Sequence, residues 1–182
     1  MRWFEAHMAE GVTVTDISDL ISGFLVTGPN AREIVARTTH QDISANALPF
    51  MACSEFYIGM VQARVARLSI AGELGFEINC AAVMHSTLRE TLLAAGEDLG
   101  LAEVGFYALN ALRLEKSFGI WSREFTQAYT PGQTGLDRFI AFGKGDFIGR
   151  NAALRERDAA TRQCLVTLVV DAQPFEVTTL RE

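Results

Sequence analysis

The chain has 182 residues, of which 49% are hydrophobic and 21% charged, and a net charge of −6. This is ordinary globular usage, with enough length for one sizeable core plus an appendage. The few basic runs alternate with acids, as in Arg155-Glu-Arg-Asp, so a phosphate-neutralising nucleic-acid surface is not expected. The longest apolar runs suit strands rather than a bilayer span, and Met1 to His7 lacks the apolar stretch of a signal peptide, which makes the cytoplasm the default location and a membrane an unexpected partner. Cys53, Cys80 and Cys164 are odd in number and widely separated, and read as idle thiols of a reducing compartment.

In chain order, Gly11 to Asp19 and Ile21 to Thr27 carry β-prone, partly alternating patterns and predict two strands. Asn30 reads as the side-chain cap of a short helix whose apolar face is Ala31, Ile34, Val35 and Thr38. Three further strands are expected over Glu55 to Gly59, Gln62 to Ile70 and Phe76 to Cys80. Leu88, Leu92, Ala95 and Leu99 recur at helical spacing from Met84, with Gly96 and Gly100 closing that helix. Another helix runs from about Val104 to Lys116. This order predicts an α+β fold, a mixed or antiparallel sheet covered by helices and close to a ferredoxin-like plait.

Beyond Lys116 the chain is turn-rich, with an aromatic segment around Trp121 and a loop over Tyr129 to Gly135. A strand is expected over Arg138 to Phe142, then a helix from about Phe147 to Arg157 capped by Lys144-Gly-Asp146, then a β-prone run over Arg162 to Asp171. His7, His40 and His85 belong to no metal-binding pattern, and no dinucleotide-binding glycine loop is present.

One residue stands out for its setting. Glu73 lies between Gly72 and Gly75, where a buried, ionised carboxylate could accept paired hydrogen bonds from the N–H and amino group of a flat heterocycle. On spacing alone the favoured reading is a solvated, structurally idle turn residue. Tyr107 near a helix start and Trp121 in the following segment each offer a stacking ring, or plain rim packing. An anionic ligand on an acidic protein needs a local cationic spot, for which Arg64, Arg67, Arg113 and Arg123 are the candidates.

Five segments in fixed order resemble the aminomethyltransferase, or glycine-cleavage T-protein, family, and within it the folate domain of the dimethylglycine and sarcosine dehydrogenases. They are Val12 to Ser18, Leu25 to Arg32, Arg67 to Ile78, Ala108 to Lys116 and Lys144 to Gly149. The resemblance implies tetrahydrofolate as ligand and a one-carbon transfer from an aminomethyl or methylated amine donor. It puts Glu73 at the family's pterin-gripping glutamate, with Arg67, Tyr107, Arg113 and Trp121 as further folate contacts.

The resemblance also carries departures. Ala66, Ile70 and Ala71 stand where the family has a tyrosine, a tyrosine and a threonine, and Leu109 replaces an arginine, as in the dehydrogenase branch. The family's aspartate lies upstream of every segment matched, so no catalytic residue is assigned. The expectation is a partial folate-binding domain over 1–160, the first strand of a C-terminal β-barrel domain over 161–182, and little activity alone. A homo-oligomer or a complementing chain is left open, as is a non-catalytic interaction module or half of a split enzyme.

Overall fold

A computed structural model describes residues 2–159, 163–169 and 171. The chain divides into two compact units, Met1–Lys116 and Ser117–Glu182.

The first unit is built on four strands, β1 (Ile21–Thr27), β2 (Cys53–Ile58), β3 (Val61–Ala66) and β4 (Gly75–Ala81), in the order β1-β4-β3-β2. All three pairings are antiparallel. Period-two alternation gives the sheet one apolar face: Phe56, Ile58, Val61, Ala63, Val65, Phe76, Ile78 and Cys80 are buried there. Helices α2 (Ala31–Ala36) and α3 (His85–Gly96) cover it with Ala31, Ile34, Val35, Leu88 and Leu92, closing a single core. The opposite face carries Glu55, Tyr57, Gln62, Arg64, Glu77 and Asn79, and the Arg64–Glu55 pair at 2.7 Å joins neighbouring strands across it.

Helix α3 ends as its glycines predict. Gly100 takes φ +73, which only glycine adopts freely, and the amide of Leu101 returns to the carbonyl of Gly96 at 3.0 Å. Two further helices complete this unit, α1 (Arg2–His7) and α4 (Phe106–Glu115).

Several expectations are corrected. Residues 11–19 form no strand: Asp16 Oδ1 accepts from the amide and hydroxyl of Ser18, and Leu20 N returns to Ile17 O, so the polar side chains turn the backbone instead of extending it. Asn30 does not cap α2 through its side chain, which donates to the Leu99 carbonyl at 3.2 Å. The α+β class holds, but the sheet is purely antiparallel. The plait would place a helix between the third and fourth strands, whereas β2, β3 and β4 run consecutively and α3 follows them.

The second unit contains α5 (Arg150–Arg157) and a 3₁₀ turn at Asp137–Phe139. The strand expected over Arg138 to Phe142 is absent because Phe139 and Ile140 bond back to Leu136 and Asp137 within the turn. Helix α5 starts three residues later than expected, after Gly149 in a left-handed conformation, and its cap makes no side-chain hydrogen bond. Residues 163–169 hold no strand; the rest of the expected Arg162 to Asp171 run, apart from Asp171, and most of 161–182 lie outside the described residues. The boundary expected at 160 and the barrel assignment lie there too.

Candidate functional site

The loop between β3 and β4, residues 67–74, carries Glu73 and is pinned at both ends. At its start the amide of Arg67 donates to Ala52 O at 2.8 Å and Met51 N donates to Arg67 O at 2.9 Å. At its end the Leu74 carbonyl accepts from Gly28 N at 2.8 Å and from Thr27 Oγ1 at 3.2 Å. Between these, Gly72 takes φ +78, and Gly75 sits so close to the loop that an added Cβ would lie 2.7 Å from the Leu68 carbonyl. The two glycines flanking Glu73 are therefore steric requirements of the turn that displays it.

Glu73 itself is not buried. Its side chain is 46% exposed, and its Oε1 lies 3.0 Å from Lys116 Nζ at the C-terminal end of α4. The carboxylate is open to a ligand arriving from solvent, and a lysine holds it meanwhile. Lys116 was visible only as the end of a helix motif; its pairing with Glu73 is long-range and leaves no trace in periodicity.

The other expected contacts separate into distinct environments. Tyr107, second residue of α4, is 88% exposed. Trp121, in the second unit, is likewise exposed. Arg113, expected as a cationic contact, is 2% exposed, and its Nε donates to Asn110 Oδ1 at 2.8 Å, one helical turn earlier. Arg64 is bonded to Glu55 through both Nε and Nη2, and Arg123 is exposed in the second unit.

Arg67 is the candidate cation that stays beside the Glu73 loop. Its Nη1 donates to the Gly75 carbonyl at 3.2 Å, and its guanidinium lies 5.6 Å from the Phe76 ring centroid and 5.7 Å from that of Phe50. Burial, and then the nearby charge of Arg32, push its pKa below the usual arginine value. Arg32 escaped the sequence analysis because it sits inside a helix motif. It lies 5.3 Å from the same Phe76 centroid and donates through Nη1 to the Ile43 carbonyl.

Residues 1–144 match the GCVT N-terminal domain. The chain belongs to that family. Among its relatives, mitochondrial dimethylglycine dehydrogenase of Mus musculus is 34% identical over 174 residues, covering 93% of this chain and 20% of the relative. Aminomethyltransferase of Caldanaerobacter subterraneus is 34% identical over 155 residues, covering 85% of this chain and 41% of the relative, and that of Bacillus licheniformis is 31% identical over 167 residues, covering 91% and 46%. The chain thus spans about a fifth of the dehydrogenase and less than half of either aminomethyltransferase. Within the GCVT domain match lie Glu73, its two glycines, Lys116, Arg32 and Arg67. No helix among the described residues is long and apolar enough to cross a membrane, and no cluster of three or more metal-ligating side chains occurs among them.

Proposed function

We propose that this chain binds a reduced folate, tetrahydrofolate or a one-carbon derivative, with the Glu73 carboxylate gripping the pterin edge. The observation that carries the reading is the pinned loop that holds an accessible carboxylate between two sterically required glycines, in a chain of the GCVT family. A pterin ring N–H and its adjacent amino group offer two parallel donors, which suit the two oxygens of one carboxylate. Binding displaces Lys116 from Oε1, at small cost because the pair is about half exposed. Tyr107 supplies exposed aromatic surface for the ligand, and Arg67 a cation.

The reaction class is one-carbon transfer. A folate nitrogen attacks the carbon of an iminium; the new C–N bond forms as the C=N π pair moves onto the donor nitrogen, and the folate nitrogen's proton passes to a base. An aminomethyl donor gives that iminium by expelling its leaving group, and a methylated amine gives it only after a separate two-electron acceptor has removed a hydride. No side chain of this chain is assigned as that base. The expected phenotype is folate binding with little turnover by the chain alone, in a reducing cytoplasm.

Titration calorimetry with 5-formyltetrahydrofolate tests the binding. Glu73→Gln retains the shape but loses the charge and one acceptor, so affinity should fall about tenfold or more. Equal binding by both proteins, or binding by neither, contradicts the reading.

A second reading, an interaction module or half of a split enzyme, is favoured by the open edge of β1. In the β1–β4 register the backbone groups of Gly23 and Leu25 point away from β4, and no hydrogen bond engages them among the described residues. An added strand from another chain would pair there, and a strictly monomeric protein with no captured partner would count against it.

A further inference from the structure

Arg32 and Arg67 approach one aromatic ring from two different elements. The first comes from α2 and the second from the start of the Glu73 loop, and their guanidinium carbons lie 5.3 and 5.6 Å from the Phe76 centroid. The ring is fully buried, so it forms the floor of the arrangement, and half-exposed Arg67 also touches the exposed Phe50 ring. Among the described residues each guanidinium has a single protein hydrogen bond, Arg32 to Ile43 O and Arg67 to Gly75 O. Each therefore keeps most of its five donors uncommitted.

Neither arginine forms an ion pair with a carboxylate among the described residues, in contrast to Arg37, Arg64 and Arg89, which all do. Asp42 senses the charge of Arg32 but stays bonded to the Ser44 amide at 2.8 Å. Two like charges, partly desolvated and with no carboxylate bonded to either among the described residues, oppose each other, and burial followed by the charge of Arg32 pushes the Arg67 pKa down. In the same loop, two residues on, the hydroxyl of Ser69 is buried with no hydrogen-bond partner. Unused guanidinium donors from two elements, with no carboxylate bonded to either among the described residues, call for an anion with several acceptor oxygens.

Resting on the folate reading, we propose that Arg32 and Arg67 together form a carboxylate seat for the glutamyl tail of the folate, with Arg32 as an unassigned specificity residue. A carboxylate matches the guanidinium fork with two parallel, charge-assisted hydrogen bonds, which an ammonium would not provide. The seat adjoins the loop that presents Glu73, so a single ligand could be held by its donor-rich pterin edge at the carboxylate and by its acidic end at the arginines. The arrangement also answers how a chain of net charge −6 attracts an anionic ligand: the attraction is local.

The test uses three probes on the full chain: 5-formyltetrahydrofolate, 5-formyltetrahydropteroyl amide, which ends in a neutral benzamide and has no carboxylate, and p-aminobenzoylglutamate, which has the tail but no pterin. Wild-type protein should prefer the tailed folate over the amide by about tenfold, the worth of one charged hydrogen-bonding pair. Arg32→Gln should abolish that preference while leaving the affinity for the amide unchanged, and Arg32→Lys should restore only part of it. Near-ultraviolet and far-ultraviolet circular dichroism of each variant confirm that the fold is intact. An unchanged preference in Arg32→Gln, or equal wild-type binding of tailed and tail-less ligands, overturns the seat while the Glu73 grip stands. If p-aminobenzoylglutamate binds in an Arg32-dependent way but Glu73→Gln leaves folate affinity unchanged, the seat stands and the Glu73 grip fails. If nothing binds, both fail.

Discussion

The proposed role of Glu73 as a ligand group requires that its existing partner be easily given up. A half-exposed Glu–Lys pair contributes at most about 1 kcal/mol, since solvent screens it and two long side chains lose rotamer freedom. Two hydrogen bonds from a pterin edge to the same carboxylate outweigh that. Replacing Lys116 with Met should therefore raise reduced-folate affinity a few-fold in calorimetry, while the melting temperature moves by no more than a few degrees. A fall in affinity would instead mean that Lys116 contacts the ligand. At this scale the sequence singled out a carboxylate but gave it the wrong environment, buried where the structure leaves it 46% exposed. Two glycines around a glutamate are legible as a turn, whereas its degree of exposure depends on where the end of α4 comes to lie. Arg113 reversed in the opposite sense: its position in a helix says nothing of the packing that left it 2% exposed.

The loop over residues 67–74 is the element on which the account depends, and Gly75 is its most constrained point. A methyl group at that position would meet the Leu68 carbonyl at 2.7 Å, and backbone on both sides leaves little room to yield. Gly75→Ala should destabilise the protein by about 1–3 kcal/mol and weaken folate binding in the folded fraction, read by urea denaturation and calorimetry together. Unchanged binding would show that the loop's shape does not matter. The regular elements were legible to within a few residues wherever a periodic apolar pattern had a core to serve. Strands β1 to β4 and helices α2 and α3 fall in this group, whereas α4 was legible from its pattern although Phe106, Leu112 and Leu114 are exposed. Other patterns without a core to serve misled. Val12 and Val14 alternate with polar residues, yet they are exposed and the segment turns through Asp16; Phe139 and Ile140 look β-prone, yet they lie in or next to a 3₁₀ turn. Strand order was not legible, because β-prone runs do not state which neighbour they pair with.

For the whole molecule, charge is organised as paired surface carboxylates. The hydrogen bond from Arg37 holds the Asp98 carboxyl below the ordinary range, that from Arg89 does the same for Glu103, and Ser18 and Ser44 act likewise on Asp16 and Asp42. A carboxylate whose pKa is depressed on folding stabilises the folded state at neutral pH, and that contribution is lost as pH falls below about 4 through the depressed values. Chemical denaturation should therefore show stability declining on acidification, with a shallower decline in an Asp98→Asn, Glu103→Gln double variant and at high salt. An identical slope in the double variant would remove these pairs from the account. The claim that organises the molecule, however, is that its GCVT domain presents Glu73 to a reduced folate. Amide-resolved NMR titration with 5-formyltetrahydrofolate addresses this most directly. The account predicts saturable shifts centred on Gly72 to Gly75 and Lys116 that vanish in Glu73→Gln, and shifts confined to other regions, or surviving unchanged in that variant, would contradict it.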